Sequence, residues 1–199
     1  MHLFFSTPVW ISEIDNYQNI NKELNNYINE EKEKNPEGLK KSNVKGWHSN
    51  EFDLKNENLK NFVTEISKSI GIAIKDMGWD LETQIVKITS MWSIINKKEA
   101  FNEKHHHGGS ALSAAYYVKA EPKAGDLVFF DPRQANVFSH PASTKVNNIN
   151  AQVQSITPKP GTLILFPSYL EHKVNPNESN QERIVISFNV SLIRKTDLA

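Results

Sequence analysis

The chain contains no cysteine. That excludes a disulfide framework and any thiolate metal site. A metal held here must take nitrogen and oxygen ligands, which suit iron, zinc, nickel, copper or manganese better than an iron–sulfur cluster. The chain also lacks a charge surplus: Lys+Arg and Asp+Glu both number 23. No excess of positive charge draws it to nucleic acid or to an anionic membrane surface. Long apolar runs are missing as well. The opening MHLFFSTPVWISEID has neither a basic n-region nor an extended apolar core, so it reads as neither signal peptide nor membrane span. The expectation is a soluble, cytoplasmic protein, in the host-cell cytoplasm if the source is viral. Its 199 residues suffice for one domain with a real core.

What is present divides near residue 80. Before it, residues 3–14 read as a strand, with Leu3, Phe5, Val9 and Ile11 apolar and Pro8 marking an edge. Residues 18–33 carry Ile20, Leu24, Tyr27 and Ile28 at helical spacing. Residues 35–50 are polar, hold Pro36, Gly38 and Gly46, and read as a loop anchored by Trp47. Residues 57–77 form the clearest helix: Leu59, Phe62, Val63, Ile66, Ile70, Ala73, Ile74 and Met77 make one apolar stripe, and Gly78 ends it. Beyond residue 80 come short β-rich runs at 84–95, 111–119, 126–130, 151–156, 162–166 and 183–193, separated by turn signals such as Lys159-Pro160-Gly161. Many short strands with Gly/Pro turns indicate a sandwich, barrel or jelly roll, with the helices packed outside it. The long polar segment 132–150 reads as a lid or binding loop.

The chemistry concentrates in KHHHGGSALSAAYYV. On a strand, His105 and His107 point to one face and His106 to the other. His172 follows far downstream, where the apolar run from Gly161 to Phe166 turns at Pro167. Two ligands from one strand and a third from a distant strand are what a β-barrel metal site needs. Histidine is the commonest transition-metal ligand at neutral pH. Arg183 opens the apolar strand IVISFNV, which is too apolar for the surface, so the arginine points into a polar pocket where it could hold an anionic cosubstrate. The alternative is a surface ion pair with Glu178 or Glu182. His2, His48 and His140 are scattered and receive no role.

The run into His172 resembles the second motif of cupins, which are metal-binding jelly rolls. Cupins usually place a glutamate just after His-x-His, whereas this chain has Gly108-Gly109-Ser110, and cupins lack the later arginine. A fuller ordered set resembles the 2-oxoglutarate- and Fe(II)-dependent oxygenases, among them small prolyl-hydroxylase-like members from bacteria and their viruses. The matching residues are Asn102 with His105-x-His107, then Ser110-x-x-Ser113-x-x-Tyr116-Tyr117-Val118 and Phe130-Asp131-Pro132-Arg133. Gly161 to Phe166-Pro167-Ser168, His172-x-Val174-x-Pro176-Asn177 and Glu182-Arg183 to Ser187-Phe188-Asn189 complete it. The likeness covers roughly residues 90–190.

This resemblance implies a mainly β fold with N-terminal helices (α+β), a double-stranded β-helix (jelly roll, cupin-like). The chain would be one domain over 1–199, with helical support in 1–80 and the β-helix core in 81–195. It implies an enzyme, a hydroxylase-type dioxygenase, with Fe(II), O2 and 2-oxoglutarate as cosubstrate, releasing succinate and CO2. It assigns His105, His107 and His172 to the metal, and Arg183, Tyr117 and Ser187 to 2-oxoglutarate, with no catalytic group beyond the metal ligands. Most members of the superfamily carry Asp or Glu where His107 stands. The ligand set therefore stays open to His105 and His172 without His107, to Asp131, or to His106. The primary substrate is an unidentified small molecule or peptide/protein; no nucleic acid or membrane partner is expected, and the oligomeric state is open, a homodimer included. Two other classes remain: a cupin-like metal enzyme that does not use 2-oxoglutarate, and a non-catalytic jelly-roll binding or virion module.

Overall fold

The computed structural model describes residues 2–133 and 141–198. Its elements run β1 (Trp10–Glu13), α1 (Tyr17–Lys34), β2 (Asn43–Val44), β3 (Trp47–His48), α2 (Glu57–Met77), β4 (Gln84–Asn96) and β5 (Phe101–His105). They continue β6 (Leu112–Lys119), β7 (Leu127–Phe130), β8 (Val153–Ile156), β9 (Thr162–Pro167), β10 (His172–Val174) and β11 (Arg183–Arg194), then a terminal 3-10 turn, Lys195–Leu198. Two antiparallel sheets result. The larger has the order β1-β9-β6-β11-β4-β3, the smaller β2-β5-β10-β7-β8. The expected mainly β jelly roll with N-terminal helices is what forms.

Alternation along the strands builds two cores on opposite faces of the larger sheet. Ile184, Ile186, Phe188 and Val190 of β11, Tyr116 and Val118 of β6, and Leu163 and Leu165 of β9 pack with Leu24 and Ile28 of α1 and Leu59, Phe62 and Ile66 of α2. The intervening residues Ala115, Tyr117, Ile164, Phe166 and Val185 face the smaller sheet and meet Leu127 and Phe129 of β7. Helix α2 begins and ends where the sequence reading placed it. Asn56 caps it by accepting the Asn58 N–H at 3.0 Å, and Gly78 closes it at φ 64°.

Three local expectations shift. The strand read over 3–14 contracts to Trp10–Glu13, because continuing the Trp10↔Leu165 register would set Pro8 opposite Pro167, and neither can donate a ladder bond. Segment 35–50 is not wholly loop. Strand β2 pairs with β5 of the smaller sheet (Asn43↔Asn102) and β3 with β4 of the larger (Trp47↔Ile95), so this short segment straps the two sheets together. Trp47 does anchor it, buried, its indole N–H donating to Asn35 O at 2.9 Å. Segment 132–150 falls partly outside the described residues. Its described part is a self-bonded turn, with Asn147 Oδ1 accepting the Ile149 N–H at 2.8 Å. Among the described residues, no helix is long and apolar enough to cross a membrane.

Phe62 joins the helical layer to the sheet. It is fully buried, with ring centroids 4.7 Å from Tyr116 and 6.5 Å from Phe188. Phe62→Ala should cost about 3–5 kcal/mol of stability, read as a lower denaturant midpoint with an unchanged slope.

Candidate metal and cosubstrate site

Between the sheets lies a cavity of about 480 Å³, within the usual range for small-molecule sites. Strand β11 contributes Arg183, Val185, Ser187 and Asn189 from its inner face, and β4 contributes Ser90, Trp92, Ile94 and Asn96. The strap and its flanks add Ser42, His48 and Ser49. The three singled-out histidines lie on the same cavity.

His105 and His172 are directly paired residues of β5 and β10. His107 lies two residues past the end of β5, where its backbone N–H donates to Ser168 O at 2.9 Å. Even so, each of the three offers one ring nitrogen, and these atoms all fall within 4.8 Å of one another. Nδ1 of His105 donates to Glu103 O at 2.6 Å, and Nδ1 of His172 to Leu170 O at 2.9 Å. A carbonyl can only accept, so the proton sits on Nδ1 and Nε2 keeps its lone pair for a metal. Burial holds all three imidazoles neutral. It pushes His172 down to about 3 and His107 to about 4, with neighbouring histidines adding to the effect, and it lowers His105 as well. Three converging neutral nitrogen donors fit a first-row transition metal. His106, one residue past the end of β5, is exposed and outside the cluster. Among the described residues the cluster holds no carboxylate. Asp131, weighed as an alternative ligand, makes a two-armed ion pair with Arg133 at 2.8 and 3.0 Å.

Arg183 is 1% exposed. Its Nη1 donates to three backbone carbonyls, of Ala124, Gly125 and Asn175, the latter two at 3.2 and 3.3 Å. Its Nη2 is buried with no hydrogen-bond partner among the described residues. The surface alternative does not hold, since Glu182 pairs with Lys32 at 3.7 Å instead. An orphaned cationic donor in a cavity that also holds the histidines fits an anionic ligand. Tyr117 and Ser187 line the same cavity, whereas Tyr116 points to the helices and donates to Asn21 Oδ1 at 2.6 Å.

The sequence reading passed over His48. It is 7% exposed, stacks on Trp92 at 5.8 Å and 10°, and donates from Nδ1 to Ser49 O at 2.7 Å. Its place depends on the His48↔Ile94 pairing, which the spacing of His48 in the chain does not announce. The described residues of the 132–150 loop do not line the cavity; segment 35–50 does.

The depressed histidines fix the sign of a pH effect. Their folded-state pKa values lie below the ordinary 6.5. As pH falls below that value the unfolded chain takes up protons that the folded chain refuses, and stability is lost down to the folded values near 4 and 3. Metal-free protein should therefore lose stability between pH 6.5 and 4, by about 1.4 kcal/mol per pH unit for each such proton. Urea unfolding at several pH values, with His172→Ala giving the shallower slope, checks this.

Comparison with known proteins agrees with this geometry. Residues 90–189 match the family described as "Putative 2OG-Fe(II) oxygenase". A comparison with curated protein sequences finds no match. Among solved structures, a prolyl-4-hydroxylase from Pseudomonas putida is similar at TM-score 0.64 and 14% identity, covering 93% of this chain and 92% of that one. HygX from Streptomyces hygroscopicus, with nickel, 2-oxoglutarate and hygromycin B bound, is similar at TM-score 0.63 and 10% identity, covering 94% and 83%. A viral collagen prolyl hydroxylase from Paramecium bursaria Chlorella virus-1, in complex with 2-oxoglutarate, is similar at TM-score 0.56 and 15% identity, covering 91% and 95%. At such identities these likenesses show a shared fold. The family match spans half of the chain and contains all three clustered histidines and Arg183. The chain belongs to the 2OG-Fe(II) oxygenases, enzymes that use Fe(II), O2 and 2-oxoglutarate.

Proposed function

We propose that the whole chain works as one oxygenase unit, in which His105, His107 and His172 hold iron and Arg183, Tyr117 and Ser187 hold 2-oxoglutarate, and that it hydroxylates a small molecule or a peptide. When bound, iron couples oxidative decarboxylation of 2-oxoglutarate to succinate and CO2 with oxidation of a substrate C–H bond. The chain's own residues bind, orient and exclude water. The backbone bonds from Nδ1 of His105 and His172 fix the ring tautomer and leave each Nε2 lone pair for the metal. Arg183 presents Nη2 to the far carboxylate of the cosubstrate. Burial raises the Tyr117 hydroxyl to about 12 despite the nearby guanidinium, so it stays protonated and donates to the same group. Ser187, on the same face of β11 as Arg183, adds a hydroxyl. Trp92 and His48, stacked beside His107 on the cavity wall, flank the place for the reacting part of the substrate. Two of the similar structures are prolyl hydroxylases, which supports a peptide target; a third holds hygromycin B, which supports a small molecule.

The observation that carries the reading is the Arg183 guanidinium, buried with one nitrogen unpartnered among the described residues, on the cavity that gathers the three histidines. Its test is titration of 2-oxoglutarate into Mn(II)-loaded protein. A charge-assisted contact is worth about 1.5–3 kcal/mol, so Arg183→Ala should weaken 2-oxoglutarate roughly ten- to a hundred-fold. Arg183→Lys keeps the charge but not the planar fork, so it should fall between. Metal affinity should stay near that of the wild type. Unchanged 2-oxoglutarate affinity in Arg183→Ala would remove the assignment.

The ligand set has its own check. His172→Ala should lose the metal, by elemental analysis after gel filtration. His107→Asp should keep it, because a carboxylate at that position also suits the metal. Metal retention in His172→Ala, or equal loss in His107→Asp and His107→Ala, would overturn the set.

A further inference from the structure

One turn serves two of the three histidines. Between β9 and β10, Ser168 O accepts the His107 backbone N–H at 2.9 Å, and Leu170 O accepts Nδ1–H of His172 at 2.9 Å. His107 needs that support, because it lies beyond the end of β5 and outside the β5/β10 register that pairs His105 with His172. The turn is closed by Leu170 N–H on Pro167 O at 2.9 Å and tied to the larger sheet by Ser168 N–H on Ala111 O at 3.1 Å.

A chain of side chains runs from the cavity wall to that turn. Asn189 Nδ2 donates to Ser90 Oγ at 3.0 Å, and Asn189 Oδ1 accepts from Ser113 Oγ at 2.8 Å. The Ser113 hydroxyl has a single proton, which that bond uses. Its 2.8 Å contact with Ser168 Oγ must therefore be donated by Ser168. Ser113 and Ser168 are each 1% exposed, so water offers no substitute partner. The direction of the chain is fixed from Ser168 through Ser113 to Asn189. Asn189 sits at a register shift, where β11 skips a residue of β4 between Asn189 and Val190. Such bulges re-aim side chains, and here Asn189 and Ser90 both line the cavity.

We propose that Ser113, acting through Ser168 and held by Asn189, is a positioning residue of the metal site: the hydroxyl pair sets the turn, and the turn sets His107 and His172. This rests on the reading that those histidines ligate the metal. Groups that orient metal ligands typically contribute ten- to a hundred-fold to metal affinity.

The experiment measures Mn(II) affinity by titration, together with the absorption spectrum of Co(II)-loaded protein and the melting temperature of the metal-free form. Ser113→Ala and Ser168→Ala should each weaken Mn(II) roughly ten-fold or more and alter the Co(II) spectrum. The double variant should be no weaker than either single one, because both break the same link. Ser113→Thr, which keeps the hydroxyl, should recover most of the affinity. Ser93→Ala is the structural control. Ser93 is equally buried and its hydroxyl donates to Val185 O at 3.1 Å, away from the turn. It should lower the melting temperature and leave Mn(II) affinity alone. If Ser113→Ala fails to fold, Ser168→Ala reads the same link. Wild-type Mn(II) affinity in Ser113→Ala, with metal lost in His172→Ala, overturns this inference alone, as does equal loss in Ser93→Ala. Metal retention in His172→Ala overturns the ligand set on which it stands.

Discussion

The antiparallel pairing of β4 with β11 governs the rest. These two longest strands are in register from Arg183↔Asn96 to Arg194↔Gln84, with one shift beside Asn189. A strand has two faces, so this pairing decides at one stroke what meets the helices and what meets the cavity. Ile184, Ile186, Phe188 and Val190 go outward to α1 and α2, while Arg183, Val185, Ser187 and Asn189 go inward. A slip of one residue would bury the apolar set in the polar cavity and drive Arg183 into the helical core.

The inward arginine is the costly member of that set. A buried guanidinium is tolerated only where hydrogen bonds replace water. Here three carbonyls take up Nη1, and the backbone that supplies them needs glycine. Gly125 has φ +90°, and a Cβ there would lie 2.7 Å from Arg183 Nη1. Burial also lowers the affinity of Arg183 for its proton. Among the described residues its Nη2 is left without a partner, which is the ground for assigning it an anionic ligand. The cavity thus holds, side by side, a buried cation with an open donor and three converging neutral imidazoles.

The strap of β2 and β3 gives the site its wall. A short segment bonded to both sheets cannot move without breaking pairings on each. Gly46 permits it, since a side chain there would collide with Asn96 Oδ1. Through this strap the polar segment before α2 brings His48 and Trp92 together beside His107, although they are far apart in the chain.

Much of this was legible in the residues themselves. The apolar stripe of 57–77 and its terminal glycine specify a helix because the 3.6-residue period and the left-handed cap are local properties. The alternation in IVISFNV places Arg183 inside for the same reason, and the absence of cysteine leaves histidine to carry a metal. The ordered residues from Asn102 to Asn189 were enough to indicate the family. What tertiary structure alone decided was everything that depends on pairing across distance. It joined His107 to the cluster from beyond its strand, through a bond to Ser168. It paired Asp131 with Arg133. It turned a polar loop into a two-sheet strap, and it drew His48, Ser113 and Asn189 into the site's surroundings. Spacing along the chain records which way a side chain points, but partners separated by many residues meet only when register and turn geometry are settled together.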